Sequence, residues 1–416
     1  MANLRDRLKI IHEQKKNEPS RKDESSFVVQ PPSSGVSVLT ENGWENCGFQ
    51  AMKREVITDT PFELMKELPQ ALAILVPDLS MRNLPDIEDF VFFDLETTGL
   101  SGGAGTIAFL AAFGKQLSGG KLSITQYLLL DYPGEDDFLE AVLQEFKNKE
   151  SVIVTYNGKC FDSQILKTRC LMNRKRPPEY FHADLLHPAR RLWKNVINDC
   201  SQGSVETRIL GIERENDIPG ALAPEIWFEF LKTGETGRLT GICDHNCADI
   251  AGLSSILSAM ISIASDPFCC KKYLFDLERL ALYWRGFLRR SVSINDRQRE
   301  KLRITGDELL KYAAEKNYSR AALVYAQDNM RMGDYEKGRN GLIKVSESDF
   351  PLNIRVQALR SLAIDSERRL KSPQEALEFV KRALDLVQRG AFLQSEFERR
   401  KERLEKNCGK IPVLPV

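Results

Sequence analysis

Net charge is missing from this chain: 59 basic and 59 acidic side chains cancel over 416 residues. That excludes a global electrostatic drive toward nucleic acid or an anionic surface and leaves any such binding to a local patch. Also missing is an apolar run near the ~20 residues that crossing a bilayer takes. The N-terminal stretch MANLRDRLKIIHEQKKNEPSRKDESS is mixed in charge and has no apolar secretory core. No membrane partner is expected, and a cytoplasmic location follows. The nine cysteines are odd in number and scattered, which speaks against a disulfide framework and for reduced, partly buried thiols. What the chain does have, 42% hydrophobic and 28% charged residues, is the composition of a globular protein. Its length calls for two folded units plus tails.

Residues 1–36 read as a disordered tail. Leu4, Leu8, Ile10 and Ile11 form a weak apolar stripe, and the run Pro31, Pro32, Ser33, Ser34, Gly35 is too polar and broken to stay ordered. Residues 37–85 read as a lead-in segment with a strand over 49–58 and a helix over 61–68, opened by Pro61 and stopped by Pro69. Residues 86–264 change texture. Strands are predicted over 90–94, 106–117 and 122–130, the last two joined by a Gly119-Gly120 turn, and over 151–156. Helices are predicted over 136–146, 163–172, 187–194 and 242–263. Three strands in a meander, then alternating helices and strands, predict an α/β domain with a mixed sheet flanked by helices. From residue 265 to about 410 the strand signals stop and helical periodicity takes over. Two similar stretches, GDYEKGRNGLIKV from Gly333 and SPQEALEFVKRALDLV from Ser372, recur a few residues beyond the ~34-residue period of tetratricopeptide repeats. The tail is either a short TPR-like array or an irregular helical bundle.

The chemistry concentrates in three places. In Asp94-Leu95-Glu96-Thr97-Thr98-Gly99, residues i and i+2 of a strand share a face, so Asp94 and Glu96 present two carboxylates side by side while Val91, Phe93 and Leu95 face the core. Crowded, half-buried carboxylates repel, and a divalent cation relieves that cost; hard oxygen donors suit Mg²⁺ or Mn²⁺. Thr97 to Gly99 end the strand abruptly, as backbone must where a ligand approaches. Alone, an Asp-x-Glu pair is common on solvated strands. The second place is Tyr156-Asn157-Gly158-Lys159-Cys160-Phe161-Asp162. There Asp162 is either a helix N-cap or a third metal carboxylate, and Asn157 and Lys159 are candidates for contacting a phosphate or sugar. The third is Cys243-Asp244-His245-Asn246-Cys247-Ala248-Asp249. His245 and Asp249 lie one helical turn apart on one face, which suits a general base beside a metal ligand. A zinc reading through Cys243, His245, Cys247 and Cys269 or Cys270 is disfavoured, because Cys-x-x-x-Cys on one continuous helix lacks the turn-borne spacing of structural zinc sites.

Together these motifs resemble the DEDD exonuclease superfamily, and more closely the YprB family of ribonuclease H-like proteins. The strings that carry the resemblance are FFDLETTGLSGGAGTIAFL, YNGKCFDSQILKTR, DLLHPARRLWK, LGIERENDIPGALAPEIWFEFLKTG and HNCADI. They cover about residues 88–260, and helical repeats often follow the catalytic domain in that family. The resemblance implies a ribonuclease H-like fold and a 3′–5′ exonuclease releasing nucleoside 5′-monophosphates. Two Mg²⁺ or Mn²⁺ ions would be held by Asp94, Glu96, Asp162 and Asp249, with His245 as base. In one respect the chain departs from the pattern: the gap from His245 to Asp249 is one residue shorter than in the histidine-bearing branch and equals that of the tyrosine-bearing one.

A nucleic-acid partner, expected to enter as a single-stranded 3′ end, needs positive charge near those carboxylates. The candidates are Lys167, Arg169, Arg174, Lys175 and Arg176 after Asp162, and Arg190, Arg191 and Lys194 after Asp184, with Tyr180 and Trp193 as interleaved aromatics. Any one of these residues reads equally well as a solvated helix face. Asp184 either joins the site or caps the helix that carries Arg190 and Arg191. The competing reading is a nucleic-acid-binding or scaffold protein on the same fold, weak in catalysis, whose helical tail recruits a protein partner.

Overall fold

The computed structural model describes residues 33–59, 68–81, 84–99, 105–117, 119–215, 217–268, 273–290, 296–387 and 393–408. Strand β1 spans Glu45–Gly48, β2 Ala51–Asp59, β3 Phe90–Thr97, β4 Ala108–Leu117, β5 Lys121–Leu129, β6 Val152–Thr155 and β7 Phe181–Asp184. They form one sheet in the order β1-β2-β5-β4-β3-β6-β7. The first four junctions are antiparallel, while β3/β6 and β6/β7 are parallel. The predicted meander is β3-β4-β5, turning at Gly119 and Gly120, both at positive φ. The strand expected over 49–58 is β2. The segment read as a lead-in therefore supplies two strands of the sheet. Most of the helix expected over 61–68 lies outside the described residues, as do Cys269 and Cys270.

The N-terminal expectation needs correcting at its end. Ser33–Glu41 is a helix, α1, although the run from Pro31 to Gly35 reads as unordered. It holds because Leu39 and the following Trp44 are buried against the sheet. That apolar anchor lies just past the polar run, and burial outweighs the run's poor propensity.

Both faces of the central strands are covered. On β3, Val91, Phe93 and Leu95 join one core and Phe90 and Phe92 the other. The helices are α2 Leu72–Leu75, α3 Glu135–Gln144, α4 Asp162–Met172, α5 Leu186–Trp193, α6 Gln202–Val205, α7 Ala223–Thr233 and α8 Gly237–Ser265. A π-helical turn over Glu206–Leu210 follows α6. With 29 residues, α8 is long and apolar enough to cross a membrane by length and composition, so the expectation of no such run fails. The acidic and histidine-bearing start of the helix hides the long apolar stretch behind it. That stretch, with Ile250, Leu253, Ile256 and Leu257, is packed on the sheet. The close approach is made at Gly114 of β4, where an added Cβ would stand 2.4 Å from Ile250 Cγ2. Removing that one side chain lets α8 lie directly over the face that carries Asp94 and Glu96.

The remaining described helices are α9 Leu277–Arg290, α10 Asp296–Glu315, α11 Ser319–Met332, α12 Tyr335–Glu347, α13 Leu352–Arg368, α14 Pro373–Leu386 and α15 Gln394–Cys408. Each packs on the next. Leu277, Trp284 and Leu309 share the core of the α/β domain, whereas α11 to α15 enclose a second one around Leu342, Leu359, Val380 and Phe397. The two similar sequence stretches are α12 and α14, each following a longer partner helix.

Candidate active site

Asp94 and Glu96 sit near the end of β3, opposite Ala112 and Leu110, and a bulge follows between Glu96 and Thr97. The bulge and the turn beyond it take the chain off the sheet edge: Thr97 Oγ1 donates to Gly99 O at 3.0 Å, and Thr98 Oγ1 accepts from Ile107 N at 3.0 Å. Thr97 itself is buried. Asp162 is the first residue of α4, not its cap; the cap position belongs to Phe161. Its buried carboxyl is therefore not consumed by capping and interacts electrostatically with Asp94 and Glu96. From α8, His245 and Asp249 come up to Glu96, and the three bring one ligand atom each to within 4.8 Å of one another.

This crowding has an electrostatic signature. Burial, then Asp249 and Asp162, hold the Asp94 carboxyl well above the usual carboxylate range, although Asn246 pulls it down. Burial, then Asp94, Asp249 and Asp162, do the same to Glu96. Burial pushes Asp162 up to about 7, helped by Asp184 and opposed by backbone hydrogen bonds from its own residue and from Leu95. Acids this reluctant to ionise, all offering hard oxygens, fit a divalent-cation site of the Mg²⁺ or Mn²⁺ kind. Cys243 and Cys247 do not supply a zinc alternative. Cys243 is fully buried, and burial raises both thiols, Cys247 to about 11.

Two supports around the site were not legible in the motifs. One is a buried polar relay. Arg54 Nε of β2 donates to Gln126 Oε1 at 2.7 Å, Gln126 Nε2 donates to Asn246 Oδ1 at 2.8 Å, and Asn246 Nδ2 donates to Asp94 Oδ2 at 2.7 Å. Each link fixes the orientation of the next amide, so Asp94 always meets a donor. The other support is Arg214. Its Nη2 lies 2.8 Å from Asp249 Oδ1, and its Nε and Nη2 clamp the two oxygens of the buried Glu206 at 2.9 and 2.8 Å. Nearby, Asp217 Oδ1 lies 2.7 Å from His245 Nδ1, and Asp249 Oδ2 lies 3.3 Å from His245 Nε2. Glu206 reaches under α8 because position 252 is glycine: a Cβ there would stand 1.8 Å from Glu206 Oε1. Gly252→Ala is therefore expected to displace Glu206 and cost on the order of 1–3 kcal/mol, read as a lowered midpoint in urea denaturation. An unchanged midpoint would mean that Glu206 can swing aside freely.

The basic residues expected to hold a strand mostly have other employment. Arg169 is buried in a two-pronged pair with Glu135 of α3, at 2.5 Å for each prong. A guanidinium enclosed in that way fastens α4 to α3 and is not presented to a strand. Arg191 Nη1 donates to Leu75 O at 2.8 Å and its guanidinium lies over the Tyr283 ring, which makes it a joint between α2, α5 and α9. Lys159 Nζ lies 2.5 Å from Asp78, Lys175 is paired with Asp136, and Arg176 with Glu179. Trp193 is fully buried and presents no stacking face. Tyr180 donates to Ser163 Oγ at 2.9 Å and packs on Phe146. Of the expected contacts, Lys167, Arg174, Arg190, Lys194 and Asn157 are exposed, the last at φ 68°. Asp184 is buried, and its charge helps to raise Asp162. It accepts from the N–H groups of Asn157, Lys159 and Leu186 at 2.9, 3.0 and 3.0 Å, fixing the loop before Asp162 and the start of α5.

Residues 91–261 match the RNase_H superfamily. Over 170 residues the chain is 43% identical to the uncharacterized protein YprB of Bacillus subtilis (strain 168), covering 40% of this chain and 40% of that protein's length. A solved structure described as product-bound exonuclease I overlaps 71% of this chain and 98% of its own at 14% identity, with a TM-score of 0.27. The matched segment begins on β3 and ends within α8, the two elements that carry four of the five motif residues. The chain thus holds a YprB-like α/β domain of ribonuclease H-like fold, followed by an all-helical region.

Proposed function

We propose that the chain is a metal-dependent nuclease acting as a 3′–5′ exonuclease on phosphodiester bonds of nucleic acid, releasing nucleoside 5′-monophosphates. The observation that carries this reading is the meeting of Glu96 from β3 with His245 and Asp249 from α8, beside the buried carboxyls of Asp94 and Asp162. Asp94, Glu96, Asp162 and Asp249 are the residues that would hold two Mg²⁺ or Mn²⁺ ions. Such ions, when bound, polarise the phosphate and make water more acidic than in bulk. His245 then serves as the proton acceptor through Nε2, provided Nδ1 carries the hydrogen that points to Asp217. Once protonated, its imidazolium lies between Asp217 and Asp249, which stabilise the charge. Arg214 holds Asp249 and orients the carboxylate toward the site.

The test is digestion of end-labelled DNA and RNA oligonucleotides by the purified chain with each metal. Stepwise loss from the 3′ end is expected, and a circular single strand should survive. Cutting of the circle would replace the exonuclease by an endonuclease on the same fold. His245→Asn is expected to lower turnover by roughly 10²–10⁴-fold. Asp217→Asn should lower it by roughly 10–100-fold with the pH–rate profile displaced, because the amide no longer fixes the imidazole tautomer. An Asp217→Asn profile superimposable on that of the parent would remove Asp217 from the mechanism.

A further inference from the structure

Beside the carboxylates, Lys159, Arg169, Lys175, Arg176 and Arg191 are held by protein partners, and a second concentration of positive charge lies on the helical tail. Two cavities, of about 820 and 540 Å³, open on the surfaces of α9, α11 and α13, and both are lined by Gln327 and Arg331 of α11. They therefore form one continuous track. Nine arginines, three carboxylates and no lysine line it. In a chain whose formal charge is zero, that is a strong local excess.

Some of these arginines are neutralised from below. Arg285 is paired with Asp307 and Asp328, and Arg369 with Asp365. Arg331 reaches the buried Asp328 at 2.8 Å while staying two-thirds exposed. Arg279, Arg289, Arg320 and Arg368 are different: among the described residues none of the four guanidiniums has an ion pair or hydrogen-bond partner, and the last three are exposed. Charges left unpaired around a concave surface raise its potential and suit a polyanion. Guanidinium forks match phosphate oxygens two at a time, which ammonium groups do not. Tyr283 and Tyr335 also line the track, each with a guanidinium over its ring, Arg191 and Arg369 respectively. At the domain end the track begins at Arg191, which feels Asp78, the carboxylate that holds Lys159 in the loop before Asp162.

We propose that this track binds the phosphate backbone of a single-stranded nucleic acid and that the helical tail is the substrate-holding arm of the protein. The choice of nucleic acid over another polyanion rests on the nuclease reading above; the existence of a polyanion site does not. With Lys159, Arg169 and Arg191 held by protein partners, the carboxylate centre gains from a grip elsewhere, and a long strand bridging both regions would be held at a distance from the scissile bond.

The experiment uses the full chain in EDTA, so that binding is read without cleavage. Fluorescence anisotropy with a labelled 20-nucleotide oligothymidylate compares the parent with an Arg279→Glu/Arg289→Glu/Arg320→Glu triple variant and with Arg368→Glu alone. Thermal unfolding is recorded for each. The triple variant is expected to bind at least about tenfold more weakly. Its salt slope should fall by about 2, at ~0.7 for each phosphate of a single strand that is no longer neutralised. Arg368→Glu, on the exposed end of α13, should weaken binding less but measurably. A triple Arg→Lys variant, which keeps the charge and loses the forks, should keep the parent's salt slope and bind more weakly than the parent but more tightly than the triple Arg→Glu variant. Unchanged affinity and salt slope in a folded triple variant overturn the proposal; if the triple variant does not fold, an unchanged Arg368→Glu overturns it. So does an acidic peptide, poly-glutamate, that displaces the oligonucleotide at equal charge concentration without needing the arginine forks, which would assign the track to a protein partner. Cleavage of a four-nucleotide substrate, too short to reach the track, separates the two readings. It should persist in the triple variant if the nuclease proposal holds, and its absence in the parent would sink that proposal while leaving the binding result to stand.

Discussion

Asp94→Asn is expected to abolish nucleotide release, by roughly 10³-fold or more, while raising the melting temperature of the metal-free protein at pH 8. The two effects have one cause. Asp94 is repelled by Asp249 and Asp162 and half-buried at the strand edge. Asparagine keeps its shape, and its side-chain oxygen still accepts from Asn246, so the relay from Arg54 through Gln126 survives. What disappears is a negative charge that folding must otherwise confine beside others. A residue selected only for stability should not behave like this; a metal ligand should. Asp162→Asn is expected to follow the same pattern, because its carboxyl also lies far above its ordinary range. Release would be followed by chromatography of the nucleotide products, and stability by calorimetry in EDTA. An active Asp94→Asn enzyme would remove the carboxylate centre from catalysis. A variant that is inactive but also less stable would show that Asp94 serves the fold.

How much of this could be read from residues alone depends on what kind of contact holds each part. The β3 pair, Asp162 and the α8 pair were legible because strand and helix periodicities put them on shared faces whatever the rest of the chain does. Their convergence was legible only through the resemblance. Arg214, Asp217 and Glu206 carry no such signal as site residues, although the string that bears Arg214 and Asp217 is part of the resemblance. Arg214 and Asp217 lie in the segment between the π-helical turn and α7, and Glu206 in the turn itself, where no periodicity announces a facing direction. Arg54 was hidden for another reason. It enters from β2, a strand placed in the sheet by pairing with β5, 62 to 78 residues later in the chain, and such long-range register is not written in local pattern. The basic cluster misled because charge type is visible in a sequence and pairing is not. Arg169 and Glu135 stand 34 positions apart, and only the packing of α4 on α3 makes one the other's partner. The arginines of the tail, spread over a long stretch of chain, give no local signal and gather only when α9, α11 and α13 stack.

Added Mn²⁺ should stabilise the protein strongly at pH 8 and hardly at pH 5, and the sign follows from the acids themselves. Asp94, Glu96 and Asp162 have folded-state pKa values raised above those of an unfolded chain, Asp162 to about 7, against about 4 when unfolded. Between those limits the folded protein keeps protons that the unfolded chain has released. Stability of the metal-free protein therefore falls as pH rises from about 4 toward 7, and the contribution of Asp162 is fully lost above that window. A divalent cation competes with the same protons, so it binds weakly where the acids are neutral and tightly where they are forced to ionise. At a free concentration a hundredfold above Kd, binding to the folded state alone contributes about 2.7 kcal/mol, which is several degrees in melting temperature for a domain of this size. Scanning calorimetry with and without Mn²⁺ at the two pH values reads the difference directly. The shift at pH 8 should vanish in an Asp94→Asn/Asp162→Asn double variant, while Arg279→Glu, far from the carboxylates, should retain it. Equal stabilisation at both pH values, or a shift that survives the double variant, would place the cation somewhere other than among these carboxylates.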